Sequence, residues 1–168
     1  MALSKIQAES MNLADTYAFS GTVSGAGGGK VLQAITALDN TQTTTASTTY
    51  ASTGLSVAIT PSATNSRILI LAQTSIYVSG AYLVIASIQR AIAGGATSNL
   101  ANSANSGFVQ QNTNGSSGGT SPLLFLDSPS TTSACTYTIL FRNNSTSNTS
   151  YSSINNSTDT MTCIEIGA

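Results

Sequence analysis

Residues 67–92, RILILAQTSIYVSGAYLVIASIQRAI, constrain this chain more than any other stretch. Isoleucine, valine, leucine and tyrosine crowd both halves, and Arg67 and Arg90 are the only charges in it. A run such as Ile68-Leu69-Ile70-Leu71-Ala72 fits a buried helix or a central strand. The β-branched content, the flanking Thr/Ser/Asn/Pro clusters and the break at Gly80 select strands. In the second half Tyr82, Val84, Ala86 and Ile88 alternate with Leu83, Ile85, Ser87 and Gln89, the period of a pleated strand. The pattern predicts two long strands, 67–79 and 82–93, folded back on each other at Ser79-Gly80-Ala81 as the central hairpin of a sheet.

At 168 residues, such a pair has enough chain around it for one domain with a sizeable core, with or without an arm. Charged residues are only 7% of the chain, far below the roughly 25% of typical soluble domains. The surface is therefore built from Ser, Thr, Asn, Gln and Gly, which suits β-structure. It also leaves few charges to guard sheet edges, so the edges need covering, and an oligomer would cover them. Such a composition fits an extracellular or particle-surface protein.

The cations Lys5, Lys30, Arg67, Arg90 and Arg142 are scattered and the net charge is -1, which argues against nucleic-acid binding. Histidine is absent, removing the commonest general base and the commonest metal ligand. No cofactor or metal is expected. Cys135 and Cys163 each fall in an expected strand, either bonded to each other or as two buried thiols. Gly80 and Arg90 interrupt the longest apolar run, so membrane insertion is not expected. The segment MALSKIQAES lacks the apolar core of a signal peptide, so the expectation is assembly in a host cytoplasm without export.

In chain order, residues 1–30 read as an N-terminal arm. Leu13, Tyr17, Phe19 and Val23 would anchor it, and Gly25-Ala26-Gly27-Gly28-Gly29 forms a hinge. The 31–168 domain then carries expected strands at 31–38, 46–51, 55–60, the 67–93 pair, 108–111, 123–126, 134–142 and 161–166. Residues 39–45 read as a polar turn, and 94–119 and 143–157 as long polar segments. Short strands at regular spacing, with no credible amphipathic helix after residue 30, predict an all-β antiparallel sandwich or jelly roll.

The chemistry-bearing residues are sparse. Asp127 and Asp159 could meet at one end of a sandwich, but nothing in their spacing pairs them as a glycosidase would need. Glu165, between Ile164 and Ile166, reads as an outward residue or as the partner of a neighbouring arginine. No catalytic set emerges, and an enzyme is not expected. Exposed segments carry function more often than cores do. The candidate binding residues are accordingly Asn99, Asn105, Asn112 and Asn114 in one long segment, and Asn148 and Tyr151 in the other. Tyr50, Tyr77, Tyr82 and Tyr151 could include a sugar-stacking platform, although strand tyrosines also serve in cores and interfaces.

Three stretches carry a resemblance: LSKIQAESMNLADTYAFSGTVSG at 3–25, TGLSVAITPSATNSRILILA at 53–72 and TMTCIEIGA at 160–168. Together they resemble a family of tailed-phage virion surface proteins, tail-fibre-like β-sandwiches of cyanophages and marine phages. The match spans the chain except 94–158. It departs at Cys163, where that terminal strand often has a bulky apolar residue. The resemblance implies a homotrimer displayed on a phage particle. The function expected from it is a short tail fibre or receptor-binding fibre head, with partners in the baseplate or tail and on a host cell-surface glycan. The alternative is a capsid decoration (cement) protein, whose arm grips the major capsid protein at threefold positions. A glycan-cleaving enzyme is the third reading.

Overall fold

The computed structural model describes residues 29–80, 83–101, 107–112, 115 and 117–167. These form two antiparallel sheets packed face to face. The first contains β1 (Val31–Asp39), β2 (Thr43–Thr45), β4 (Arg67–Val78), β8 (Ser117–Asp127), β10 (Ser150–Ser152) and β11 (Asp159–Ile166). The second contains β3 (Ala51–Ile59), β5 (Leu83–Ile92), β6 (Thr97–Asn99), β7 (Val109–Asn112) and β9 (Cys135–Asn143). The expected all-β sandwich is present.

β4 is the spine of the first sheet. On one flank β8 pairs with it from Ile68↔Asp127 to Val78↔Ser117. On the other flank β11 takes its first half and β10 its last residues. β1 and β2 continue the sheet beyond β11 and β10 respectively. In the second sheet β5 lies between β9 and the short pair β6 and β7, with β3 on the far side of β9.

The 67–92 stretch is not a hairpin. β4 and β5 belong to opposite sheets, and the chain crosses between them at Gly80, where φ is 111°. Both strands have their edges filled by other strands, so they meet through their faces: Ile68, Ile70, Ile76 and Val78 pack in one core with Val84, Ala86 and Ile88. The polar 143–149 segment holds both ends of the crossing. Ser79 N donates to Thr149 O at 2.9 Å, and Asn144 N donates to Leu83 O at 3.1 Å. A hairpin and an inter-sheet crossing require the same alternation and the same glycine, so the sequence pattern alone does not separate them.

Other boundaries shift for local reasons. The expected strand at 46–51 is replaced by Thr43–Thr45, inside the expected 39–45 turn, and β3 starts at Ala51. Gly54, at φ 101°, sits in a register shift between Ser52 and Ser56 that keeps β3 in the sheet. β8 begins six residues earlier than the expected strand at 123–126 and runs through Pro122. Among the described residues β4 is its one strand partner, and a missing donor is tolerated on such an edge. The long 94–119 region contributes both β6 and β7.

Cys135 and Cys163 lie in the core on opposite sheets as free, buried thiols. Burial pushes the thiol of Cys163 up to about 12. Gly29 N donates to Gly167 O and Gly167 N donates to Lys30 O, fixing the entry to β1 beside the end of β11. Leu13, Tyr17, Phe19 and Val23 lie outside the described residues. Among the described residues no helix is long and apolar enough to cross a membrane.

Candidate functional site: an aromatic hollow on the first sheet

Alternation along β4 sends Ile68, Ile70, Ile76 and Val78 inward and leaves the odd-numbered residues on the outer face. Tyr77 is therefore outward, and the ladder places Tyr151 of β10 directly opposite it. Their rings meet edge to face, with centroids 5.5 Å apart and planes at 61°. This arrangement satisfies the ring quadrupoles and leaves aromatic surface free. Gln42, Tyr77, Tyr151, Ile154 and Asn155 line a shallow hollow of 310 Å³ there. That is at the lower end of small-ligand sites.

One wall is backbone in a costly conformation. Ser153, Asn155 and Asn156 have φ of 50°, 54° and 58°, in the left-handed region. Each such residue costs about 1–2 kcal/mol, less for asparagine. The surrounding bonds offset that cost. Asp159, 1% exposed, accepts from Thr74 Oγ1 at 2.6 Å, Ser75 N at 2.9 Å and Ser153 Oγ at 2.9 Å. Ser153 N donates to Ser75 O at 3.0 Å and Ile154 N to Ser75 Oγ at 3.1 Å. At the rim, Asn155 N donates to Gln42 Oε1 at 3.0 Å. The hollow is thus preformed, with the Asp159 carboxylate turned inward as a clamp.

All five lining residues are uncharged. Two aromatic faces and two carboxamides can hold a neutral ring that presents C–H on one side and hydroxyls at its edge, the surface of a pyranose. The lining offers no cation for an anionic group and no carboxylate for a metal.

The six expected binding residues do not converge. Tyr151 is in the hollow. Asn148 braces the β4–β5 crossing, its side-chain nitrogen set 2.8 Å from Ser79 O and 2.9 Å from Ser147 O. Asn99 accepts from Ser87 Oγ and Ala101 N on the second sheet, where Asn112 ends β7. Asn105 and Asn114 lie outside the described residues. Of the other tyrosines, Tyr50 lies 5.2 Å under Arg142 on the second sheet, and Tyr82 is not among the described residues. Gln42, Ile154 and Asn155 carried no sequence signal, because only the fold brings the 40–42 and 153–156 segments to the tyrosines.

The carboxylates hold structure. Asp127 and Asp159 sit at separate points along β4, beside Ile68 and Thr74, and do not face each other. Glu165 is neither outward nor paired with an arginine. It is 0% exposed and accepts from Ser62 N at 2.7 Å, Ser62 Oγ at 2.6 Å and Gln33 Nε2 at 2.6 Å. β1 and the 61–66 turn close over it, which no local spacing announces.

No family model matches the chain, and no curated protein matches it. A chain from the "Structure of infectious bursal disease virus Gx strain" is similar at TM-score 0.39 and 9% identity. That alignment covers 82% of the present chain and 38% of the viral one. A likeness this loose defines neither family nor activity. Fold and hollow together define a two-sheet antiparallel β-sandwich with an uncharged aromatic depression on one outer face.

Proposed function

We propose that this chain is a phage virion surface protein, the receptor-binding head of a short tail fibre, and that it holds a neutral cell-surface saccharide in the Tyr77–Tyr151 hollow. The reading is of a homotrimeric binding module rather than an enzyme. The observation that carries it is the preformed hollow: an edge-to-face tyrosine pair, two carboxamides and a wall of left-handed backbone. Structure that maintains strain around an exposed depression is more often functional than incidental.

The strand order supports a jelly roll. Taking β1 with β2, β6 with β7 and β10 with β11 as single ribs turns eleven strands into eight. In rib order the sheets then run 1-8-3-6 and 2-7-4-5. Jelly rolls serve in viral capsid and lectin domains. A fold does not decide a function, but a surface poor in charge and the resemblance of three stretches to phage virion proteins agree with display on a particle.

The test is an array of neutral and acidic oligosaccharides probed with the labelled full chain. Neutral pyranosides are expected to retain it, with Tyr77→Ala and Tyr151→Ala each weakening retention by about tenfold, or ~1.4 kcal/mol. Absence of any retained saccharide, or equal retention by both variants, would overturn the reading.

A further inference from the structure

The two sheets differ in how their outer faces are covered. On the second sheet, Ile85 and Leu140 point away from the core yet are only 1% and 6% exposed. The chain itself covers Ile85: a Cβ at Gly107 would meet Ile85 Cγ2 at 2.6 Å and Tyr50 Oη at 3.1 Å. On the first sheet the register aligns Ile164, Leu69 and Leu126 in one outward row and Thr162, Leu71 and Leu124 in the next. Leu124 and Leu126 remain 63% and 41% exposed.

We infer that this leucine-rich outer face of the first sheet is the surface through which a second copy of the chain binds. Three observations select a copy of the chain as the occupant. The face is neutral apart from Arg67 at its end, so a neighbouring copy can approach it without repulsion. Four rows at about 6.8 Å and four strands at about 4.8 Å give roughly 500 Å² per copy. With an equal area from the neighbouring copy, each contact would bury about 1,000 Å², the threshold for a specific interface. Beside Leu124 and Leu126 runs β8, an edge strand of 11 residues whose outer flank has no strand partner among the described residues. An edge of that length, whose one charge is the buried Asp127 at its end, is open to further pairing, and one neighbour would cover edge and face together. The inference rests on the packing of the first sheet and stands whether or not the hollow takes a saccharide.

The test uses the full chain at about 10–100 µM in light scattering coupled to size exclusion. The expected mass is a multiple of one chain, falling to a single chain in Leu124→Asp and Leu71→Asp. A wild type of single-chain mass, or both variants at wild-type mass, overturns the inference. Because an aspartate can also unfold a β-strand, Leu124→Cys provides a milder readout. With Cys135 and Cys163 buried, its exposed thiol is expected to cross-link two chains through a short bis-maleimide. No cross-linked pair from a folded Leu124→Cys protein would equally overturn it.

Discussion

Tyr137 on the second sheet donates its phenolic hydrogen to Asp127 on the first at 2.7 Å, joining the two layers of the sandwich through a buried polar bond. Arg90 NH1, from the second sheet, reaches both oxygens of the same carboxylate at 2.8 Å. Burial, reinforced by the bond to Asp127, pushes the phenol far above its ordinary pKa, so Tyr137 stays a donor across the accessible pH range. This triad fixes one end of the sandwich, as Asp159 fixes the hollow further along β4.

Removing its members should cost different amounts. Tyr137→Phe leaves the ion pair intact and is expected to lose about 1.5–3 kcal/mol. Asp127→Ala strands the Arg90 guanidinium and is expected to lose about 3–5 kcal/mol. Urea unfolding of the two variants measures both. Equal losses would mean that the ion pair adds nothing to the phenol bond.

Glu165 should make the fold acid-sensitive in a defined window. Burial alone would raise its pKa, but the bonds from Ser62 and Gln33 prevail and hold it at about 2, below the usual carboxylate value of 4.5. A depressed folded-state pKa gives stability that is fully present above about 4.5 and lost as the pH falls through about 2. The urea midpoint should hold to about pH 5 and then decline, and Glu165→Gln should flatten that part of the curve. An unchanged acid slope in the variant would remove Glu165 from the account.

Asp159→Asn should loosen the hollow without touching its lining. The amide replaces an acceptor facing Ser75 N or the Thr74 and Ser153 hydroxyls with a donor. The expected loss is about 1–3 kcal/mol. Faster amide exchange over 153–157 is the local signature to measure.

Gly107→Ala tests the cover over the second sheet. At φ 57° an added Cβ would come within 2.4 Å of the Ala86 carbonyl oxygen, which is backbone and cannot swing aside. Backbone strain and overpacking together predict a loss of about 2–4 kcal/mol. A variant of wild-type melting temperature would show that this segment is not seated on Ile85.

Much of the sandwich was legible because strand alternation is a local property. Ile68, Ile70, Val84, Ala86 and Ile88 all face the core as their spacing requires. Which sheet each strand joins was not legible, since Gly80 serves a hairpin and an inter-sheet crossing alike. The start of β8 was not legible, because Gly118 and Gly119 fall in the polar 94–119 stretch and Pro122 lacks a ladder donor, while an edge strand accepts all three. The site was legible only in Tyr151 and, among the tyrosines weighed, Tyr77. Asn99 and Asn148 looked like displayed amides and are in fact structural acceptors and braces, because polar segments in so uncharged a chain also supply its internal bonds. Glu165 looked exposed because its partners lie more than 100 residues away in sequence.

The most direct measurement of the central claim is the copy number of this protein per purified virion, by quantitative mass spectrometry against the major capsid protein. A fibre head that binds host saccharide predicts a small multiple of three. A number of the same order as the capsid protein would contradict it in favour of a decoration protein, and absence from the particle would contradict the virion assignment altogether.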